Sequence, residues 1–175
     1  MSRSFTSAYL IKIILRFFVV YALLFAAYRL VILRSRPDFF TLQTARQTDL
    51  LYRATGHQTT WKVLPDGARV GIFDNGRWIL NIIEGCNSVS ILILFLAFVW
   101  AFPAPWKERL WFSGAGSALI WITNLLRLWV LGLVYAYRYS WFDPMHRVFF
   151  PAAIYGMVVL LWIIWVRRMM RRGVV

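Results

Sequence analysis

The sequence predicts an all-α membrane protein: about four transmembrane helices in a bundle, with a small extracytoplasmic β-meander between the first and second spans. Three observations predict it. Apolar residues make up 61% of the 175 residues, against roughly 45–50% in a soluble domain. They are gathered in long runs with few charges. The basic residues behind the net charge of +13 stand mostly at the ends of those runs. That placement excludes a nucleic-acid-binding face, which needs clustered Lys and Arg to neutralise phosphates. The length allows one domain, 1–175, with little besides membrane helices. One cysteine excludes an intrachain disulfide and any multi-cysteine metal site.

In lipid, a helix satisfies its own backbone and needs about 20 residues to cross. The first span is expected at 13–33, with Arg16 and Arg29 near its ends, where long stems reach the headgroups. A cleaved signal peptide is the alternative, since "FFVVYALLFAA" is short; "LVIL" continuing beyond Arg29 favours a retained span. The second span is expected at 86–102, ending at "FPAPWKER", the third at 110–135 and the fourth at 148–166, before "RRMMRR". With four spans, Arg3, Lys12 and Arg16, then Lys107 and Arg109, then Arg167, Arg168, Arg171 and Arg172 fall on one side. The positive-inside rule makes that side, and both termini, cytoplasmic in the inner membrane.

Segment 34–85 then lies outside. Its first part carries Phe39, Leu42, Leu50, Leu51 and Ala54 as a loose helical stripe, suited to lying on the membrane surface. "TTWKVLPDGARVGIFDNGRWILNIIEG" reads as three short strands joined by "PDG" and "DNG" turns. The last strand runs straight into Cys86, with Gly85 expected to allow a tight turn.

Three spans each place a reactive or cationic residue at the outer face. Cys86 is expected to open the second span, where the helix macrodipole favours thiolate. Arg127 sits in the outer part of the third span, with Asn124 three residues earlier on the same face. An arginine at that depth should face the bundle interior. In "WFDPMHRVFFP", Asp143 is expected to cap the fourth span with Pro144 in its first turn, so His146 follows at the same depth. A thiol, a group that titrates near neutrality and a fixed cation together suit acyl transfer or peptide hydrolysis. Singly, Cys86 reads as a small buried hydrophobe, Arg127 as a snorkelling residue and His146 as an interface residue; their shared depth favours a site. Asn87, Ser88, Asn124 and Glu84 are candidate supporting or substrate-binding groups, and His57 is a rival base. Gly114, Gly116 and Ser117 suit close helix packing.

"EGCNS" opening a span, "NLLR" in the next, and a histidine before a final span with "FFP" resemble the exosortase/archaeosortase family. The resemblance covers about 76–151. It implies a membrane enzyme with a Cys–Arg–His triad: Cys86 as nucleophile, Arg127 as the cation for substrate or transition state, and His146 as acid/base. It further implies partners that are exported proteins with a C-terminal tail of short motif, membrane helix and basic cluster. Two departures stand out. Many members have Ser-Gly after the cysteine, where this chain has Asn87 and Ser88, and larger members have more spans.

The reading is a membrane cysteine endopeptidase or transpeptidase that processes C-terminal sorting tails on the extracytoplasmic face. Its acceptor would be water, or an amine on a membrane lipid or glycan, and it calls for no metal or organic cofactor. A non-enzymatic scaffold for envelope proteins is the alternative, with Trp61 and Arg69 on its working surface. A channel subunit with Arg127 lining an anion path is a third.

Overall fold

The computed structural model describes residues 7–172; Arg3 of the first basic set lies outside the described residues. Helix α1 is Ser7–Arg34, and α2 is Phe39–Ala54. Strands β1 (Thr59–Val63), β2 (Val70–Asp74) and β3 (Arg77–Ile82) form an antiparallel sheet in the order β1-β2-β3. Asn75 and Gly76 both take positive φ, 49° and 78°, as the tightest hairpin turns require. Next come α3 (Val89–Ala101), α4 (Trp106–Tyr137) and α5 (Phe150–Arg171). Helical turns at Tyr139–Trp141, Phe142–Pro144 and Met145–Phe149 lead into α5, so one apolar helical run covers Tyr139–Arg171.

Among the described residues three helices are long and apolar enough to cross a membrane: Tyr9–Arg34, Trp106–Tyr137 and Tyr139–Arg171. Helix α3 has 13 residues, about 20 Å of rise, short of the roughly 30 Å hydrocarbon core. It nevertheless returns the chain along the bundle. Its start packs on the end of α1 through Val89 and Ile93 against Tyr28 and Ile32. Its end shares a cluster with Ile13 and Phe17 of α1 and Trp165 and Met169 of α5. Gly116 makes the α3–α4 approach possible, since a Cβ there would lie 2.2 Å from the Phe95 ring. Gly114 faces open space and has no such role.

The bundle has two unlike ends. At one, Glu108 of α4 pairs with Arg168 at 3.2 Å and with Arg172, and Arg109 lies over the Trp100 ring at 4.9 Å. The other carries α2, the sheet and a second apolar cluster, in which Tyr52, Val70, Ile72 and Ile82 meet Leu128, Leu131 and Phe150.

Helix α2 turns Phe39 and Leu50 of its apolar stripe outward and packs on the molecule through a largely polar face. Its buried face is Thr41, Thr44, Ala45, Thr48, Asp49 and Tyr52, whereas Phe39 and Leu50 are exposed. The threonines can be buried because their hydroxyls bond within the helix, Thr44 to the Phe40 carbonyl at 2.8 Å and Thr48 to the Thr44 carbonyl at 2.7 Å. An apolar outer face suits a lipid neighbour as well as a core.

Candidate active site

Cys86 does not open α3. It ends a short 3₁₀ turn, Glu84–Cys86, and the helix begins at Val89 with Ser88 as N-cap. Gly85 has no unusual φ and nothing within 4 Å of an added Cβ. The special backbone position is Ser88, at φ 58°, the left-handed region in which glycine is at ease. The physical reason for the displaced helix start is Asn87: its Oδ1 accepts the Val89 N–H at 3.1 Å and closes the chain into a turn before the helix can begin.

Asn87 is fully buried and fully engaged. Its Nδ2 donates to the Tyr28 hydroxyl at 2.8 Å and to Thr41 Oγ1 at 3.1 Å, with Asp38 Oδ2 at 3.4 Å. Asp38 in turn caps α2, accepting the Phe40 and Thr41 N–H groups at 2.9 and 3.2 Å and the Thr41 hydroxyl at 2.5 Å. Asn87 therefore ties the cysteine turn to α1 and α2 and has no group left over for a substrate. Tyr28, Asp38 and Thr41 went unread in the sequence. Only Asp38, an N-cap residue type before an apolar run, carried a signal.

Asn124 of α4 reaches the turn directly: its Nδ2 donates to the Cys86 carbonyl at 2.8 Å. Arg127 follows three residues later on the same face of α4. Tyr52 steadies this stretch from α2, its hydroxyl donating to the Leu128 and Trp129 carbonyls at 3.1 and 2.6 Å. Burial raises the Tyr52 pKa, so its hydroxyl stays a donor. Gly132 leaves room for it, since a Cβ there would lie 2.1 Å from Tyr52 Oη.

His146 lies in the π-helical turn Met145–Phe149, its ring stacked on Phe142 at 5.5 Å. Asp143 is not the cap, because helix has already begun at Tyr139; it forms an exposed pair with Arg147 at 3.6 Å. The π turn has a cause in Pro151, at the start of α5. Proline has no N–H for the Arg147 carbonyl, and its ring crowds that carbonyl, so the preceding turn widens.

Cys86, Phe142 and Met145 border the same apolar cluster, and the Arg127 guanidinium is within electrostatic reach of His146. Cys86, Arg127 and His146 are each half-buried, and no hydrogen bond among the described residues joins them. Of nine buried side-chain polar atoms lacking a hydrogen-bond partner in the described residues, five belong here: Glu84 Oε1, Ser88 Oγ, Asn124 Oδ1, Arg127 Nε and His146 Nδ1. Orphaned buried polar atoms are costly and uncommon, and these five stand on the cysteine turn, on the α4 face that bonds it and on the π turn. His57 is engaged elsewhere, with its Nδ1 3.1 Å from Asp74 Oδ2.

The molecule is a helical membrane bundle with a small sheet at the end that carries these polar groups. The family model "Transmembrane exosortase (Exosortase_EpsH)" matches residues 7–169, and the chain belongs to the transmembrane exosortase family. No curated protein and no solved structure matches the chain.

Proposed function

We propose that this chain is a cysteine endopeptidase or transpeptidase that removes C-terminal sorting tails from exported proteins. The observation that carries the reading is the set of unpartnered buried polar groups on the cysteine turn, the neighbouring α4 face and the π turn, with Asn124 bonded to the Cys86 carbonyl. In this reading His146 takes the Cys86 proton as Sγ attacks the scissile carbonyl. Arg127 stabilises the oxyanion, a developing charge best met by a fixed cation in a site poor in water. The tetrahedral intermediate then collapses, the C–N bond breaks, and His146 returns the proton to the leaving amine. A thioester on Cys86 remains. Water or an acceptor amine attacks it and releases the thiol, leaving a new carboxylate or amide. Asn124 fixes the turn that carries the nucleophile, while Glu84 and Ser88 are left to bind the substrate backbone.

The reading also sets topology. Helix α3 makes a fourth crossing, its short length extended by the turn at Glu84–Cys86. By the positive-inside rule, the basic residues at one end of the bundle support a cytoplasmic location for that end and for both termini. The cysteine, α2 and the sheet then face outward from the cytoplasmic membrane, where a translocated tail arrives with its own membrane helix still in the lipid.

The test compares C-termini of envelope proteins, by mass spectrometry, in cells making the native chain or Cys86→Ala at equal levels. Defined tails removed only by the native chain support the reading. Identical C-termini in both, with the native chain folded and present, end it and leave the scaffold reading, which would put the sensitive positions at Trp61 and Arg69.

A further inference from the structure

At the basic end of the bundle the last two turns of α5 carry a stripe: Ile164, Arg167, Arg168, Arg171 and Arg172 line a depression of about 480 Å³. Their i, i+3, i+4, i+7, i+8 spacing puts all five on one helix face. Like charges at those spacings repel one another. Glu108 offsets Arg168 and Arg172. Arg167 and Arg171 have no carboxylate partner among the described residues, and both are exposed.

Arg167 also tops a second depression. This is an apolar groove of about 330 Å³, lined by Phe98 of α3 and by Val159, Trp162, Ile163, Val166 and Met170 of α5. Trp162 stacks on Phe98 with ring centroids 4.4 Å apart. Its indole Nε1 is buried and has no hydrogen-bond partner. It lies five residues from Arg167, about 7.5 Å along the helix toward the middle of the bundle. The helix dipole and the positive-inside rule account for arginines at this end. Neither accounts for an apolar groove that runs up to Arg167, one of an unmatched arginine pair.

We infer that the groove between α3 and α5 is a binding site for an anionic phospholipid: its phosphate bridges Arg167 and Arg171, and an acyl chain lies along Phe98, Val159 and Ile163. A phospholipid presents an anion above hydrocarbon, which is the order of the groove. The site is remote from Cys86 and independent of the proposed peptidase chemistry.

The test uses the full-length chain purified in detergent and supplied with phosphatidylglycerol or phosphatidylcholine. Native mass spectrometry counts retained lipid, and thermal unfolding reports stabilisation. Two arginines near a phosphate correspond to a preference of about thirtyfold for the anionic lipid. Arg167→Gln/Arg171→Gln is expected to lose most of that preference. Arg16→Gln/Lys107→Gln, which removes equal charge away from the groove, is expected to keep it. Equal losses in the two double variants would reduce the effect to general charge and overturn the site. So would stabilisation reproduced by inorganic phosphate alone, or a lipid-free dimer as the dominant native species.

Discussion

Ser88 holds the least comfortable backbone of the described residues near the site. A left-handed conformation costs a non-glycine residue roughly 1–2 kcal/mol, and its Oγ is buried without a partner. Ser88→Gly is therefore expected to stabilise the chain by about 1 kcal/mol, read as a higher unfolding temperature in detergent. Ser88→Ala removes the hydroxyl but keeps the strained φ, so it should gain less. If Ser88 Oγ binds the substrate backbone, Ser88→Gly will also lower tail processing while raising stability, two readouts moving in opposite directions. At Arg127, lysine keeps the charge but loses the planar fork that meets a carbonyl oxygen. Arg127→Lys is expected to reduce processing by about a hundredfold with unchanged protein level; undiminished processing would remove Arg127 from the chemistry.

The three residues of the proposed triad were legible because their chemistry is rare in lipid and each stood near a span boundary. Their support was not. Asn87 and Asn124 are both short amides near the site in sequence. One spends itself on Tyr28, Thr41 and Asp38 from two earlier helices, the other on the Cys86 carbonyl. Which partner each finds depends on contacts 38 to 59 residues away in the chain, beyond the reach of local pattern.

At the scale of elements, two joints hold the site end. The first is α2 against α4. Gly132→Ala would drive a methyl group into Tyr52 Oη and is expected to cost about 1–3 kcal/mol, as overpacking does. Adding Tyr52→Phe removes the clashing oxygen and should return part of that loss, so the double variant is more stable than the sum of the singles implies. Strict additivity would show that the two residues do not meet. The second joint is the π turn under His146. Pro151→Ala restores the missing N–H and relieves the crowding, so the turn should tighten toward α-helix and rotate His146 away from Arg127. The expected result is a folded, equally abundant protein with processing reduced at least tenfold. Unaltered processing would show that the π turn does not place the histidine.

These joints also show where local reading failed. The hairpin of β2 and β3 was plain from "DNG", since Asn-Gly is turn chemistry that tertiary context seldom overrides. Helix α2 and the outward turn of Phe39 and Leu50 were legible as a surface stripe, but its buried threonine face was not, because those hydroxyls bond to their own helix. Asp143-Pro144 looked like a helix start, yet helix had begun four residues earlier at Tyr139. A cap signal marks a place where a helix can start and does not forbid one already under way.

Over the whole molecule, a bundle with a basic end and a polar, sheet-covered end matches what composition and charge placement foretold. The proposed division of labour follows that polarity: lipid phosphate at the arginines, and peptide chemistry at the cysteine. The central claim is that Cys86 becomes acylated by the proteins it cleaves. The measurement that tests it most directly adds hydroxylamine to cells making the native chain and reads the C-termini of envelope proteins by mass spectrometry. A thioester on Cys86 would be intercepted, so processed proteins should end in hydroxamates at the cleavage site, and Cys86→Ala cells should yield none. Processed proteins that end only in carboxylates, with the same cleavage persisting in Cys86→Ala cells, would contradict the account.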